Sequence, residues 1–204
     1  MSNDLLFQLA AETKRVADLG FMACTAGNSS VLLESDPLIV AMSPSGHDKT
    51  KLVPESFIRV GIDGRPFPPD SRKPSDETLL HVALYQHVHC GAVLHGHPPH
   101  AVALSLEAES LIVFRDIEML KALAGSTTHA CTRVLPVIEN SQDMAVLAQQ
   151  TLKVRQADTP AVLVRGHGVY AWGRTPTEAA RHLETIEWLC RVMLLSRAGA
   201  VRPL

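Results

Sequence analysis

Apolar residues at the start of the chain recur at helical spacing, with Leu5, Leu6, Leu9, Val16 and Leu19 on one face. Asn3 or Asp4 can cap this helix and Gly20 can end it. The period then changes. CTAGNSSVLLE, PLIVAMSPSG and FIRVGIDG are short apolar runs interrupted by Gly, Asn, Ser and Pro, which predicts three strands followed by a Pro-rich loop over 64–74. Helical spacing returns in Leu79, Leu80, Ala83, Leu84 and Val88, with Ser75 as the expected N-cap and Asp76 and Glu77 in the first turn. GAVLHGH is a further strand. Pro98 and Pro99 suit the first turn of a short helix ending near Leu106, LIVF is extended, and 116–124 is helical. RVLPVI is again extended, and Ser141 can cap a helix from Gln142 to about Arg155. AVLVRGHGVYAWG predicts a strand pair with a glycine-flanked tip. The capping box Thr175-Pro176-Thr177-Glu178 then opens a long closing helix through Ala179, Leu183, Ile186, Cys190, Met193 and Leu194. Strands and helices intermingle without linker or repeat, so the pattern predicts one α/β domain over residues 1–204 and leaves the strand order open.

Composition narrows the class. With 46% hydrophobic and 20% charged residues in 204, the chain suits one globular core. Nineteen Lys+Arg balance 21 Asp+Glu with no basic patch, so nucleic acid is not an expected partner. No run of about 18 apolar residues occurs, so no membrane-spanning helix is expected. Asp4 and Glu12 interrupt the stretch where a secretion signal would be basic and then apolar. Cys24, Cys90, Cys131 and Cys190 lie singly, without a CxxC pair, and are expected to be reduced, buried, apolar-like thiols in a cytoplasmic protein.

Ten histidines stand out, six of them between His81 and His100. His95 and His97 are two apart in an extended segment, which turns both imidazoles to one face. His167, 72 positions after His95 in Arg165-Gly166-His167-Gly168, is the best third partner, because glycines on both sides let backbone approach closely. Three protein ligands with one open position is the arrangement of a catalytic zinc site, although imidazole also suits iron, cobalt or manganese. His47, His81, His87, His89, His100, His129 and His182 show no comparable arrangement and are expected to be surface or structural. Glu77 and Glu118 are the carboxylates of interest. Each also has a plain reading: a helix start favours Glu77, and an i,i+3 pair with Lys121 accounts for Glu118. The turns Gly27-Asn28-Ser29-Ser30, Ser43-Pro44-Ser45-Gly46 and Pro74-Ser75 offer amide and hydroxyl donors to a phosphate. Each alone is an ordinary turn.

Taken together, AGNSS, SPSGHDKTKL, KPSDETLLH, GAVLHGHPPHAV, IEMLKALAG, LPVIENSQDMAVLA and AVLVRGHGVYAWG resemble the class II aldolase and adducin family, across essentially the whole chain. The resemblance implies a three-layer α/β/α domain with a central, largely antiparallel sheet. It implies one zinc ion per subunit on His95, His97 and His167, and a homotetramer with active sites near subunit boundaries. Asn28, Ser45, Gly46 and Ser75 match phosphate-contact positions. ENSQDM and IEMLKALAG look most like the dehydratase branch. That branch loses water from 5-methylthioribulose 1-phosphate in methionine salvage, by metal-stabilised enediolate formation and β-elimination of the C4 hydroxyl. In that branch Glu118 matches the catalytic glutamate, while Glu77 matches the acid/base and resting metal ligand of the sugar-phosphate aldolases. An aldolase or 4-epimerase acting on fuculose or ribulose phosphates is the alternative enzyme, and a non-catalytic adducin-like interaction domain the alternative from another class. Two departures are visible: HGH stands for the commoner HTH, and Asp76 stands where relatives carry a small or neutral residue, beside the expected phosphate pocket.

Overall fold

The computed structural model describes residues 2–198; Met1 and residues 199–204 of the expected domain lie outside the described residues. Eight strands form one sheet: β1 (Asn28–Ser35), β2 (Leu38–Met42), β3 (Ile58–Val60), β4 (Ala92–Gly96), β5 (Leu111–Arg115), β6 (Thr132–Ile138), β7 (Ala161–Val164) and β8 (Gly168–Gly173). Their order across the sheet is β3-β2-β1-β4-β8-β7-β6-β5. Every neighbouring pair is antiparallel except β6 and β7. The largely antiparallel sheet expected from the family resemblance is the one observed.

β4, β7 and β8 are buried along their whole length, because helices cover both faces of the sheet centre. Alternation still sorts their side chains. Ala92 and Leu94 of β4 and Val169 and Ala171 of β8 join one core, with α1 (Ser2–Asp18), α3 (Pro99–Glu107) and α5 (Pro176–Ala198). Val93, Tyr170 and Trp172 join the other core, under α2 (Thr78–His87) and α4 (Met144–Val154). The result is the three-layer α/β/α arrangement.

Five helix details depart from the sequence pattern. α1 begins at Ser2, so Asn3 and Asp4, the expected caps, lie inside its first turn. Glu77 is itself the N-cap residue of α2, because the Ser75 carbonyl accepts from Thr78 and residues 75–77 form a turn outside the helix. Asp143 caps α4, its carboxylate accepting from the Ala145 and Val146 amides, while Ser141 accepts from the Asp143 amide one step earlier. Residues Glu118–Ala122 form a 3₁₀ helix, tighter than the expected α-helix. At α5, Thr175 caps the Glu178 amide as the box requires, but Glu178 reaches back to the Arg174 amide instead of to Thr175.

Strand direction decides which loops meet. Asn28 at the start of β1 pairs with His95 near the end of β4, Met42 at the end of β2 pairs with Ser30, and Gly96 pairs with Val169 after the β7–β8 turn. All these termini lie at one end of the sheet. β5 runs the other way: Arg115, its last residue, pairs with Thr132 at the beginning of β6, which puts the 118–122 turn at the opposite end.

The helix that follows His97 is held by α5. Glu187, 6% exposed, accepts from the His100 and Ala101 amides at 3.2 and 2.9 Å and pairs with the His100 ring at 2.5 Å, acting as a cap from a distant element. Glu187→Ala leaves those amides without partners and is expected to cost about 1–3 kcal/mol. A urea melt checks this: the midpoint falls with an unchanged slope.

Candidate metal centre and phosphate pocket

Nitrogens of His95, His97 and His167 lie within 4.8 Å of one another at the sheet end just described. His95 is fully buried; its Nδ1 donates to the Val169 carbonyl at 3.0 Å, and its ring lies flat on Tyr170 with centroids 4.0 Å apart. In a neutral imidazole one proton is available, so Nε2 of His95 is bare and faces inward. Burial pushes its pKa down to about 3, which keeps it neutral. His97 follows the strand, anchored by its amide to the Phe21 carbonyl at 2.6 Å, and burial lowers its pKa too. His167 sits in the β7–β8 turn, where Gly166 takes φ +62°.

The backbone beside these rings is unusually close. A Cβ on Gly168 would meet the Gly96 carbonyl oxygen at 2.3 Å, His97 Cδ2 at 2.7 Å and His95 Cε1 at 3.0 Å, so only glycine fits. Arg165 pins the same turn: its guanidinium donates to the carbonyls of Ser105, Ala108 and Glu109 at 2.6 Å each and to Glu139 at 2.8 Å. Ser105 also accepts from the Gly166 amide. Sequence reasoning missed Arg165 and Glu139 as supports, although both lie inside the segments RGHG and ENSQDM.

Glu77 reaches this cluster from the start of α2. Its two oxygens lie 3.3 Å from His95 Nε2 and 3.3 Å from His167 Nε2, and Asn28 Nδ2 donates to it at 2.6 Å. Burial works against its charge, but His95, once protonated in acid, the His167 ring and Asn28 outweigh that and hold its carboxyl well below the usual carboxylate range. His95 Nε2 is thus bare and faces both a carboxylate oxygen and His97 Nε2, the latter at 2.9 Å. Lone pairs outnumber protons at one point. A cation relieves that excess, and a tetrahedral zinc ion with nitrogen ligands sets them about 3.4 Å apart, a value between the 2.9 Å of the His95–His97 pair and the 4.8 Å that bounds the cluster. The donor set therefore fits a divalent metal of borderline character.

All four expected phosphate contacts, Asn28, Ser45, Gly46 and Ser75, line a cavity of about 200 Å³ that Glu77 and His97 also border. Lys49 lines it as well, and the sequence reading did not single it out. It is 1% exposed, its ammonium donating to the Thr25 and His47 carbonyls at 2.8 Å each. Its signal was a lysine three residues after the Ser-Gly turn. Asp76 pairs with Lys73 at 2.5 Å, with both side chains about 70% exposed, so its charge is directed to solvent.

Glu118 is not brought to the cluster within one chain. It lies beyond β5, at the opposite end of the sheet, 68% exposed and paired with Lys121 at 2.5 Å and His129 at 3.4 Å. Both Lys121 and His129 hold its carboxyl below the usual range. Of the other histidines, His81 and His182 are core residues bonded to Ser30 and the Trp172 carbonyl, and His100 pairs with Glu187. Cys90 and Cys190 are buried as expected, whereas Cys24 is exposed and Cys131 half-buried; all four are free thiols. No described helix is long and apolar enough to cross a membrane.

The chain resembles known proteins over most of its length. The model of the class II aldolase and adducin N-terminal domain family matches residues 7–194. A methylthioribulose-1-phosphate dehydratase of Pectobacterium atrosepticum is 40% identical over 200 residues, 96% of each chain. One of Sulfurihydrogenibium sp. is 38% identical over 176 residues, 85% of this chain and 81% of its own. The solved L-fuculose-1-phosphate aldolase of Thermus thermophilus superposes with a TM-score of 0.81 at 25% identity, covering 100% of both chains.

Buried neutral histidines make the metal-free fold acid-sensitive. His81, fully buried, has its pKa lowered from 6.5 to about 4, so between those values the unfolded chain carries a proton that the folded chain lacks. Stability is full above about 6.5 and falls as the pH drops towards 4, by up to about 1.4 kcal/mol per unit for this residue. Urea midpoints of chelator-treated protein at pH 5 and 7 check this, and His81→Gln should make the difference smaller.

Proposed function

Because the chain belongs to the class II aldolase and adducin N-terminal domain family, we propose that it is a zinc-dependent dehydratase converting 5-methylthioribulose 1-phosphate to 2,3-diketo-5-methylthiopentyl 1-phosphate, a step of methionine salvage in the cytoplasm. The observation that carries this reading is the surplus of lone pairs from His95, His97, His167 and Glu77 beside a small pocket of phosphate donors. The relatives named for this substrate supply its identity. One zinc ion per subunit on the three histidines is the expected cofactor. When bound, the ion would polarise the C2 ketone and offset the charge that builds on its oxygen.

The chain's own residues divide the remaining work. Ser45, Gly46, Ser75 and Asn28 hold the phosphate at one end, which fixes C3 and C4 relative to the carboxylates. Dehydration needs two proton transfers, one off C3 and one onto the C4 hydroxyl, which leaves as water. The enol so formed tautomerises to the diketone. Glu77, ionised and held by Asn28 against the histidines, serves as one acid/base group. Glu118 is the second acid/base group. Because it lies at the far end of its own sheet, on this reading it serves the histidines of another copy, within the homotetramer that the family resemblance implies.

A second enzyme reading, an aldolase on fuculose phosphate, is favoured by Glu77 lying against the metal site and by the likeness to the Thermus aldolase. Incubation with both sugar phosphates separates them: diketone formation supports the dehydratase and carbon–carbon cleavage the aldolase.

Glu118→Gln is expected to lower turnover by roughly 10²–10⁴-fold with bound zinc unchanged, and His97→Ala to lower zinc well below one per chain. Mixing the two inactive variants and letting subunits exchange should restore part of the activity, because a site then forms with intact histidines from one chain and an intact Glu118 from another. Recovery of none, with exchange demonstrated, would count against shared sites.

A further inference from the structure

Lys49 is an unusual residue to bury. It is 1% exposed, and no described carboxylate lies within ion-pair distance of its ammonium; Asp48, its neighbour in sequence, is engaged by Thr50 and Lys51. Two carbonyls, those of Thr25 and His47, take two of its three N–H groups. The third has no acceptor among the described residues, and Lys49 borders the 200 Å³ cavity formed with Ser45, Gly46, Asn28 and Ser75. A buried ammonium needs an anion or a full set of acceptors. The two carbonyls and the field of Asp48, which sits beyond ion-pair distance, meet that need only in part.

The charge around the cavity points the same way. Its lining carries two carboxylates, Asp76 and Glu77, and Lys49 is its one formal cation among the described residues. Asp76 is drawn outward by Lys73, but a phosphate dianion beside Glu77 would still be repelled if the lining held no cation, and the hydroxyl and amide donors of the turns contribute no net charge. Resting on the sugar-phosphate reading above, we propose that Lys49 is the cationic anchor of the substrate's phosphate group, its third N–H donating to a phosphate oxygen while the other two hold the 25–28 and 45–48 turns around it. The two carbonyls fix the ammonium in place, so little side-chain freedom is lost on binding. The consequence for specificity is that the site demands a dianionic group at C1, and a ketose without phosphate is not held.

The test compares the full-length, zinc-loaded protein with Lys49→Gln and Lys49→Arg. Inorganic phosphate is the first probe and methylthioribulose 1-phosphate the second. Wild type should be protected against thermal unfolding by millimolar phosphate, Lys49→Gln should lose that protection, and Lys49→Arg should regain part of it. Lys49→Gln should weaken phosphate binding and raise KM by roughly 10- to 100-fold, the range for a lost charge-assisted hydrogen bond, with zinc content unchanged and a smaller effect on kcat. Phosphate binding and KM within about twofold of wild type in a folded Lys49→Gln would overturn the proposal. So would a variant whose only defect is a lower melting temperature, which is the signature of a strut between turns. If wild type binds phosphate through Lys49 yet produces no diketone, the dehydratase reading fails while the anchor stands.

Discussion

The close approach of Gly96 and Gly168 is the constraint on which the site depends. With the Gly96 oxygen 2.3 Å from where a Cβ of Gly168 would stand, the β4 end and the β7–β8 turn pack backbone to backbone. His95, His97 and His167, which flank those glycines, are thereby pressed towards a common point. Everything nearby serves to keep that contact in register: the Val169 carbonyl orients the His95 ring, Tyr170 stacks beneath it, and Arg165 ties the turn to the end of α3. Rings oriented this way lose little freedom when they take up a cation, so preorganisation contributes to affinity.

Much of this was legible in the chain. Period-2 spacing put His95 and His97 on one face, and the glycines around His167 correctly implied close backbone approach. Element boundaries were harder where capping residues compete: Ser75 and Glu77, or Ser141 and Asp143, differ only in which side chain reaches the first free amides, and that depends on the turn geometry. Strand order was not legible, because hydrogen-bonded pairing between distant segments leaves no local mark. For that reason the sequence could not reveal that Glu118 sits at the opposite end of the sheet from the histidines. Lys49 escaped for a different reason. A lysine in a polar loop normally faces water, and its burial follows only from the meeting of two turns about 20 residues apart in the chain.

Charge is distributed locally and not globally. The formal net charge of −2 gives no attraction for an anionic sugar phosphate, yet one buried lysine, the hydroxyls of two turns and a cation-seeking histidine cluster converge on a single small cavity. Asp76, whose charge would oppose an anion there, is drawn outward by Lys73. On the proposed reading, positive potential lies only where the ligand would sit, which avoids attracting unrelated polyanions.

The position of Glu118 has a further consequence. A chain that folds by itself can assemble the histidine cluster and the phosphate pocket, but on the proposed reading it lacks the second proton-transfer group. Folding competence and catalytic competence are then separate properties, and rate per chain becomes a function of protein concentration. Dilution below the subunit dissociation constant would silence the enzyme without unfolding it, and substitutions on the surface around Glu118 would be selected for turnover even though they touch neither metal nor substrate in their own subunit.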